Sequence, residues 1–390
     1  MEKLKVLELF AGIGACSKAL ERLNIPHEIV DAVEIDKYAI NSFNAIHGTN
    51  FEPQDITTWD KDIKVDLIMQ GSPCQDFSLA GKQAGGDKDS GTRSSLMYET
   101  IRIVEKLKPN YVVWENVKNL LSKKHRHNFD AYLETLKQLG YKNYYQVLNA
   151  KDYGIPQSRE RVFTISIRND IDKDFNFPKK QPLKLKLKDM LEDKVDEKYY
   201  LSDKMVNYIL DNNDTQKGTK WEGRADNDTL NSNIAHTLSV RGAGGCQRAG
   251  VSNFIIDNYE QEIKVKDIKM QTNKTICLNS KGGRNGVEGL QPSLKDRIYD
   301  SNGISTCVAT SNFFMPNYTD NLRIRKLTPR EVWRLMGFDD KDFEKASQVN
   351  SNTQLYKQAG NSIVVNVLEA IFKELFREHI TDLDKWSDLD

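Results

Sequence analysis

Two patterns of hydrophobic and polar positions alternate along the first 170 residues of the chain. Short apolar runs predict β-strands at Leu4–Leu9, Glu28–Val33, Val65–Gln70, Tyr111–Trp114 and Arg161–Ile167. Between them, apolar residues recur with helical spacing and predict helices at Ser17–Leu23, Ala39–Ile46, Leu96–Leu107 and Phe129–Leu139. This alternation is typical of an α/β fold, so we expect an open, doubly wound, Rossmann-like sheet of parallel strands with crossover helices.

The pattern changes near Lys179, after which long helical spacing disappears. Asn and Asp become frequent, and Gly clusters lie at Gly242–Gly245 and Gly282–Gly289. Such a segment predicts a smaller, loop-rich, mainly β domain, with partial disorder in isolation as the alternative. Helical spacing returns at Thr328–Met336, where Thr328 is a candidate N-cap and Pro329 takes the first helical position, and at Ser362–Phe376.

These changes divide the chain into three parts. We expect a catalytic domain at residues 1–180, a second domain at 181–325, and C-terminal helices at 326–390 that pack back onto the first domain. A chain of 390 residues with 38% hydrophobic residues is long enough to fill two cores.

The formal net charge is zero, but the charges are unevenly placed. Between Val240 and Arg330, fourteen Lys or Arg stand against eight Asp or Glu. This excess of positive charge indicates either a phosphate-binding face or an ordinary solvated surface.

Several classes of protein are disfavoured by what the sequence lacks. Its five cysteines form no CxxC pair and have no His partner at metal-ligand spacing, so we expect neither a zinc site nor a disulfide framework. No stretch approaches the roughly 20 apolar residues that span a bilayer, and Met1–Val6 does not read as a signal peptide. We therefore expect a monomeric cytoplasmic protein without bound metal.

A first candidate site lies where the first predicted strand ends. Gly12 and Gly14 form a Gly-x-Gly turn before a helix, but Ser17 takes the place of the third glycine of a dinucleotide fingerprint. Glu34 follows twenty residues after Gly14, at the end of the second strand, where a carboxylate can accept hydrogen bonds from ribose hydroxyls. A nucleoside without a diphosphate, such as S-adenosylmethionine, fits this combination better than NAD. Asp36 and Asp55 also follow apolar runs and can alternatively cap helices.

A candidate nucleophile follows the third strand. Cys74 stands in Gly71-Ser72-Pro73-Cys74, at the carboxyl edge where ligands gather in open α/β folds, although an isolated Cys is more often a small buried hydrophobe. Its thiolate form needs positive potential nearby, which Arg159 and Arg161 can supply if they do not form a surface salt-bridge ladder. Glu115 ends another strand and either joins Cys74 at that edge or caps the next helix. A thiol beside a carboxylate suits addition to an electron-poor heterocycle.

At this point an ordered set of motifs resembles the bacterial and phage DNA cytosine-5 methyltransferases. The motifs are Phe10-Ala11-Gly12-Ile13-Gly14, Pro73-Cys74-Gln75, Glu115-Asn116-Val117, Gln157-Ser158-Arg159-Glu160-Arg161, Arg330-Glu331 with Met336-Gly337-Phe338, and Gln358-Ala359-Gly360-Asn361-Ser362. They cover roughly residues 1–170 and 320–375, and each motif alone is short.

The resemblance implies transfer of a methyl group from S-adenosylmethionine to carbon 5 of a cytosine flipped out of double-stranded DNA. It implies that Cys74 adds to carbon 6, that Glu115 holds nitrogen 3, that Arg161 contacts the flipped base and that Arg159 orients the site. The residues it places at the donor are Phe10, Ala11, Gly12, Gly14, Glu34, Asp55, Ile56, Pro73, Leu96, Asn361 and Ser362. The residues it places near DNA are Gln75, Ser78, Gln157, Thr237, Arg241 and Thr306.

The recognition region departs from the family pattern. The family carries Thr-Leu after a Gly-rich approach, whereas Thr306-Cys307 and Thr237-Leu238 are both candidates here. A cognate restriction endonuclease that acts separately is a further expected partner. The competing hypotheses are a transfer RNA methyltransferase, a catalytically inactive DNA-binding regulator and a nicotinamide oxidoreductase. The long middle region disfavours a transfer RNA methyltransferase. The complete catalytic set disfavours an inactive regulator, and the incomplete glycine fingerprint disfavours a nicotinamide oxidoreductase.

Overall fold

The structure is a computed structural model that describes residues 2–73, 93–200, 254–257, 305–306 and 323–380. Within these ranges the main sheet has six strands in the order β2-β1-β3-β4-β7-β5. Its strands are β1 (Leu4–Leu9), β2 (His27–Val33), β3 (Leu67–Gln70), β4 (Tyr111–Val117), β5 (Tyr141–Asn149) and β7 (Glu160–Arg168). The short strand β6 (Gln157–Ser158) lies outside this sheet.

The sheet is mixed rather than parallel throughout. Strands β1 to β4 pair in parallel, but β7 is antiparallel to both β4 and β5. The expectation of an all-parallel sheet was therefore wrong for this half. The reason lies in the link between β5 and β7, residues 150–159, which has no crossover helix of the kind that a parallel return requires.

Helices cover both faces of the sheet, as the doubly wound prediction requires. They are α1 (Ala15–Arg22), α2 (Lys37–His47), α3 (Met97–Leu107), α4 (Arg126–Gln138), α5 (Pro329–Arg334), α6 (Asp340–Val349), α7 (Asn352–Asn361) and α8 (Val365–Leu375). One hydrophobic core joins alternate sheet residues to α1 and α8, and a second joins the opposite alternation to α3 and α4. The sequence missed α6, α7 and the strand β5.

Two predicted helix caps are present. Thr328 caps α5, with Pro329 at the first helical position, and Glu331 closes a capping box with it. Asp36 caps α2, because its carboxylate accepts the Tyr38 N–H at 2.9 Å. The alternative reading of Asp36 as a helix cap is thus confirmed.

The C-terminal helices lie against the N-terminal ones. Helix α8 packs on α1, and α6 packs on α2. The buried ammonium group of Lys18 in α1 lies 2.8 Å from the carboxylate of Asp342 in α6. Residues more than three hundred positions apart in sequence therefore share one core, which brings the last helices to the edge of the sheet where β1 ends.

Only short pieces of the middle region fall within the described ranges. Strand β8 (Phe254–Asp257) pairs antiparallel with β10 (Arg323–Lys326), and β9 (Ser305–Thr306) pairs in parallel with β6. A separate domain at 181–325 and its boundaries therefore remain predictions. Among the described residues, no helix is long and apolar enough to cross a membrane.

Candidate active site

The mixed sheet brings five chain segments to one edge. Strands β1 to β4 are parallel and end there, and β7 begins there because it runs in the opposite direction. The residues that therefore lie along the same edge are the Gly-rich turn after β1, Glu34 after β2, the Gly71–Pro73 segment after β3, Glu115 in β4, and Arg159 and Arg161 at the start of β7.

The turn after β1 has an unusual backbone. Phe10, Gly12 and Gly14 all have positive φ angles, of 54°, 57° and 80°. A Cβ atom at Gly14 would lie 2.1 Å from Nε2 of His47, so this glycine lets the turn pack closely on α2. A Cβ atom at Gly12 would meet nothing within 4 Å. Side chains of α2 thus fill the space beside Gly14, whereas the space beside Gly12 is unfilled.

Glu34 is fixed beside that opening. Its carboxylate accepts the Gly12 N–H at 3.0 Å with one oxygen and the Asp36 N–H at 2.8 Å with the other. Burial raises the pKa of this carboxyl group, although both hydrogen bonds act in the opposite direction. The next residue, Ile35, is 70% exposed, which is unusual for a large apolar side chain.

Asp55 and Ile56 lie close to Glu34 along the edge, because the Gln54 N–H donates to the Glu34 carbonyl at 2.8 Å. The exposed Asp55 accepts the Thr57 N–H and hydroxyl at 2.9 and 2.8 Å, while Ile56 is buried. The carboxylate of Asp55 thus stabilises its own turn, and no helix begins at this residue, so the alternative of a helix cap was wrong for Asp55. A donor contact by Asp55 remains a prediction.

The segment after β3 is tied to β4 through Ser72. The buried Ser72 hydroxyl accepts the Trp114 indole N–H at 3.0 Å, and the Asn116 amide donates to the Ser72 hydroxyl and carbonyl at 3.3 Å each. Pro73 follows directly. Cys74, with Gln75 and Ser78, lies outside the described residues. The structure therefore places the residues that precede Cys74 within hydrogen-bonding distance of the two residues that flank Glu115.

Glu115 and the two arginines form a buried cluster. Nε of Arg161 lies 3.0 Å from Oε1 of Glu115, and Arg161 also donates to the Glu160 carbonyl at 2.8 Å. Burial raises the pKa of the Glu115 carboxyl group, while the positive charges of Arg161 and Arg159 lower it. The raised pKa indicates that burial outweighs the two arginines, so Glu115 keeps its proton to a higher pH than a solvated glutamate.

Arg159 joins this cluster to the C-terminal motif. Its guanidinium group donates to the Ser362 carbonyl at 2.8 Å and to the Gly360 carbonyl at 3.2 Å. Ser362 is buried and Asn361 is exposed. The paired-arginine motif and the closing motif, predicted separately from sequence, are therefore in direct contact.

A small cleft opens between these elements. Its polar lining is Glu115, Arg159 and Arg161, and its apolar lining includes Phe163, Ile363 and Val367. Polar groups from β4 and from the start of β7 thus converge beside apolar side chains.

The remaining predicted residues have varied surroundings. Phe10 and Leu96 are partly buried and pack on the same hydrophobic core. Gln157 is fully buried and donates to the Leu335 carbonyl at 2.7 Å, so here it fixes α5 rather than facing solvent. The backbone of Thr306 pairs with Ser158. Thr237 and Arg241 lie outside the described residues.

Sequence reasoning missed several residues that shape this edge. Glu8 in β1 is buried and accepts the Ser17 N–H at 3.0 Å, and burial raises its pKa to about 7. The sequence patterns predicted only that Trp114 lies in a strand and Ser72 in a loop, and they gave no role to Ile35. An apolar residue directly after a strand-ending glutamate is the one signal that the sequence offered for Ile35.

No group of three or more potential metal ligands is present in the part of the chain that the structure describes. The buried thiol of Cys16 is not in a disulfide.

Comparisons with known proteins show the family to which the chain belongs. A family model described as C-5 cytosine-specific DNA methylase matches residues 4–377. The type II methyltransferase M2.ScrFI of Lactococcus lactis subsp. cremoris is 35% identical, over 96% of this chain and 99% of that protein. The orphan methyltransferase M.SPRI of Bacillus phage SPR is 32% identical over 97% and 99%. The type II methyltransferase M.HhaI of Haemophilus parahaemolyticus is 32% identical over 94% and 93%.

Solved structures show the same fold. A DNMT2 variant of Spodoptera frugiperda superposes with a TM-score of 0.61, at 19% identity over 96% of this chain and 100% of that one. A putative DNA modification methyltransferase from an Escherichia coli prophage gives a TM-score of 0.58, at 19% identity over 96% and 99%. At these identities the likeness concerns the fold alone, whereas the family model spans nearly the whole chain. The chain therefore belongs to the C-5 cytosine-specific DNA methylases.

Proposed function

We propose that this chain transfers a methyl group from S-adenosylmethionine to carbon 5 of a cytosine flipped out of duplex DNA, with Cys74 as covalent nucleophile. The observation that carries the proposal is the pair of Glu115 and Arg161, 3.0 Å apart, because Glu115 lies on β4, the strand whose Trp114 holds the Ser72–Pro73 segment in place. Because Cys74 follows Pro73 directly, its thiol is expected near the Glu115 carboxyl group.

The residues after β1 and β2 fit the donor. Open space at Gly12 admits a ligand beside the backbone, and the Glu34 carboxylate retains lone pairs for two ribose hydroxyls. The exposed Ile35 side chain offers an apolar surface for the face of an adenine ring. When bound, S-adenosylmethionine supplies an electrophilic methyl group. We propose that Phe10, Ala11, Gly14, Asp55, Ile56, Pro73, Leu96, Asn361 and Ser362 complete this pocket.

The proposed reaction begins with the flipped cytosine in the cleft. The Cys74 thiolate forms a bond to carbon 6, and Glu115 donates a hydrogen bond at nitrogen 3 as the ring gains electron density. Carbon 5 then becomes nucleophilic enough to accept the methyl group. A base removes the proton from carbon 5, and the electrons of that bond expel the Cys74 thiolate.

The protonation state of Glu115 matters for this step. A carboxylate can only accept hydrogen bonds, whereas a carboxylic acid can donate one to nitrogen 3. The raised pKa of Glu115 supports a donor role. We propose that Arg161 contacts the flipped base next to it, and that Arg159 orients this part of the site through its hydrogen bonds to the closing motif.

DNA contacts are proposed for residues on both sides of the site. Gln75 and Ser78 follow Cys74, and Thr237, Arg241 and Thr306 stand in the middle region. Gln157 would act indirectly, because its side chain is buried against Leu335. We also propose that residues 181–325 form the target-recognition domain, with residues 1–180 and 326–390 forming the catalytic unit. A restriction endonuclease of the same specificity is a proposed partner that acts separately.

Transfer of labelled methyl groups tests the proposal. The protein is incubated with labelled S-adenosylmethionine and either duplex DNA or transfer RNA, and we expect label at cytosine carbon 5 in DNA only. Label in RNA alone, or in neither, would reject the proposed substrate. Bisulfite sequencing of DNA from cells that express the protein then gives the target sequence.

The role of Cys74 is tested separately. Cys74→Ala should abolish transfer while DNA binding persists. With S-adenosylmethionine present, wild type should form a stable adduct with duplex DNA that contains 5-fluorocytosine, because after methyl transfer fluorine cannot leave carbon 5 as a proton does. Cys16→Ala, which changes the buried thiol after the donor turn, is the control and should retain the adduct. Adduct formation by Cys74→Ala would show that the nucleophile is elsewhere.

A further inference from the structure

The ten residues after β4, Lys118–His127, carry an unusual density of positive charge. They include Lys118, Lys123, Lys124 and Arg126, two histidines and no acidic residue, in a chain whose formal net charge is zero. None of them belongs to the candidate site described above. We refer to Lys118–His127 as the basic edge segment.

The basic edge segment lies beside the candidate active site. It starts directly after β4, three residues beyond Glu115, at the carboxyl edge of the sheet. Nζ of Lys118 lies 3.0 Å from Oε2 of Glu160, the residue that precedes Arg161 in β7. Arg161 in turn contacts Glu115 in the cleft. Lys118 is therefore linked to the candidate active site through Glu160 and its neighbour Arg161.

The backbone of this segment is held in place. Leu120, His125 and Asn128 are buried, and backbone hydrogen bonds join Ser122 to Asn119 at 3.0 Å and His125 to Ser122 at 3.0 Å. The side chains of Lys123, Lys124 and His127 are exposed on this framework. Its positive groups are therefore presented to solvent from a fixed position rather than from a loose loop.

Two cations of the segment have acidic partners among the described residues. Glu160 pairs with Lys118, and Asp130 pairs with Arg126 at 2.7 Å. Lys123 makes no ion pair within the part of the chain that the structure describes. An exposed cluster of like charges is costly unless a partner of opposite charge covers it, and the polymer with the densest regular negative charge is a nucleic acid backbone.

We propose that the basic edge segment binds backbone phosphates of duplex DNA next to the flipped cytosine. This inference rests on the proposed function and adds a surface for its substrate. Lysine side chains contact phosphates without reading bases, so this surface fixes the position of the duplex over the cleft and leaves sequence choice to other residues.

Neutralising two lysines tests the surface. K123Q/K124Q removes two positive charges from exposed positions, and thermal unfolding of the variant checks that its stability matches that of wild type. K3Q/K64Q removes two charges before β1 and β3, at the opposite edge of the sheet, and is the control for net charge. K123R/K124R keeps the charge. Binding of each protein to a 20-base-pair duplex is measured by fluorescence anisotropy over a series of salt concentrations.

The salt dependence distinguishes the outcomes. Each phosphate contact contributes about 0.9 to the slope of log K against log salt, so K123Q/K124Q should lower the slope by about 2 and weaken binding by about tenfold or more at ~0.1 M salt. K3Q/K64Q and K123R/K124R should match wild type. An unchanged slope in K123Q/K124Q, or an equal loss of affinity and slope in K3Q/K64Q, would overturn the proposed surface. If wild type still transferred methyl groups to DNA, the proposed function would stand in that case. A wild-type protein that bound no duplex would count against both.

Discussion

Arg161 and Glu115 contact each other across two antiparallel strands, with Nε and Oε1 3.0 Å apart. The pair exists because β7 runs against β4, so that Arg161 near the start of one strand lies opposite Val117 at the end of the other. The guanidinium group holds the carboxyl group in the cleft and moderates the pKa increase that burial causes.

Removing that guanidinium group should change how activity depends on pH. In Arg161→Met, the pKa of Glu115 rises further because the nearest positive charge is gone. If protonated Glu115 donates to the base, the alkaline limb of the kcat profile should move to higher pH, while kcat itself falls by about 10²-fold or more. Arg168→Met, at the far end of β7, is the control and should keep both the wild-type kcat and the wild-type position of the alkaline limb. An alkaline limb that stayed in place would contradict the donor role of Glu115.

The Ser72 hydroxyl should matter for catalysis more than for substrate binding. Ser72→Ala leaves the buried Trp114 indole N–H without its acceptor, which costs about 1–3 kcal/mol and lets the Pro73 segment shift. We expect kcat and the rate of 5-fluorocytosine adduct formation to fall about tenfold, with KM for DNA nearly unchanged.

The matched control for this prediction is Ser42→Ala. Ser42 is equally buried and hydrogen-bonds with Gln358 and Asn350, away from the cleft. It should lose similar stability and keep kcat. Equal losses of kcat in the two variants would show that Ser72 contributes only to general stability.

Two glycines of the turn after β1 should respond differently to alanine. Gly12→Ala places a methyl group in open space, so its main cost is the left-handed backbone, about 1–2 kcal/mol, but the methyl group should block the donor and raise its Kd at least tenfold. Gly14→Ala drives a methyl group into His47 and should cost about 2–4 kcal/mol of unfolding free energy. Calorimetric titration with S-adenosylmethionine and urea unfolding measure the two effects. Tight donor binding by Gly12→Ala would argue against a donor at this turn.

Glu8 should make stability depend on pH. Burial raises its pKa to about 7 in the folded protein, from an ordinary value of 4.5. Between these values the folded chain binds more protons than the unfolded chain, so the free energy of unfolding falls as pH rises through this window, by about 3 kcal/mol in total. Above pH 7 the free energy of unfolding stays lower by this full amount.

Glu8→Gln should remove that penalty. Relative to wild type, E8Q should gain about 3 kcal/mol between pH 4.5 and pH 8, as measured by urea unfolding of both proteins at each pH. His47, whose pKa burial lowers to about 4, titrates in the opposite direction but is present in both proteins and cancels in the difference. If the free energies of unfolding of the two proteins changed in parallel with pH, Glu8 would not be the group that titrates near pH 7.

Arg325 and Glu331 form a buried bidentate pair, with both nitrogen–oxygen distances at 2.9 Å. Arg325→Met leaves the Glu331 carboxylate buried without its cation and should lower the unfolding free energy by about 3–5 kcal/mol. The double variant R325M/E331Q should recover part of that loss, because no charge then remains buried. Lys198→Met, at an exposed ion pair, is the control and should change little. Additive effects in the double variant would show that the pair is not coupled.

Local sequence patterns determined much of this fold. The apolar runs predicted β1, β2, β3, β4 and β7 to within a few residues, because a buried strand needs a continuous apolar segment whatever its neighbours are. Thr328 and Pro329 predicted the start of α5, because an N-cap side chain satisfies backbone groups locally. Glu34 after β2 and Glu115 in β4 were found by the same reasoning, since a strand end is a local feature.

The tertiary structure decided what local patterns do not encode. Strand β5 was missed because Tyr141–Asn149 alternates polar and partly buried residues, and its partner β7 follows it in sequence. The direction of β7 depends on the link between them, and that direction alone brings Arg161 to Glu115. Contacts such as Trp114 with Ser72 and Arg159 with Ser362 join residues far apart in the chain. Their geometry follows from strand order and helix packing, which a linear pattern of residues does not specify.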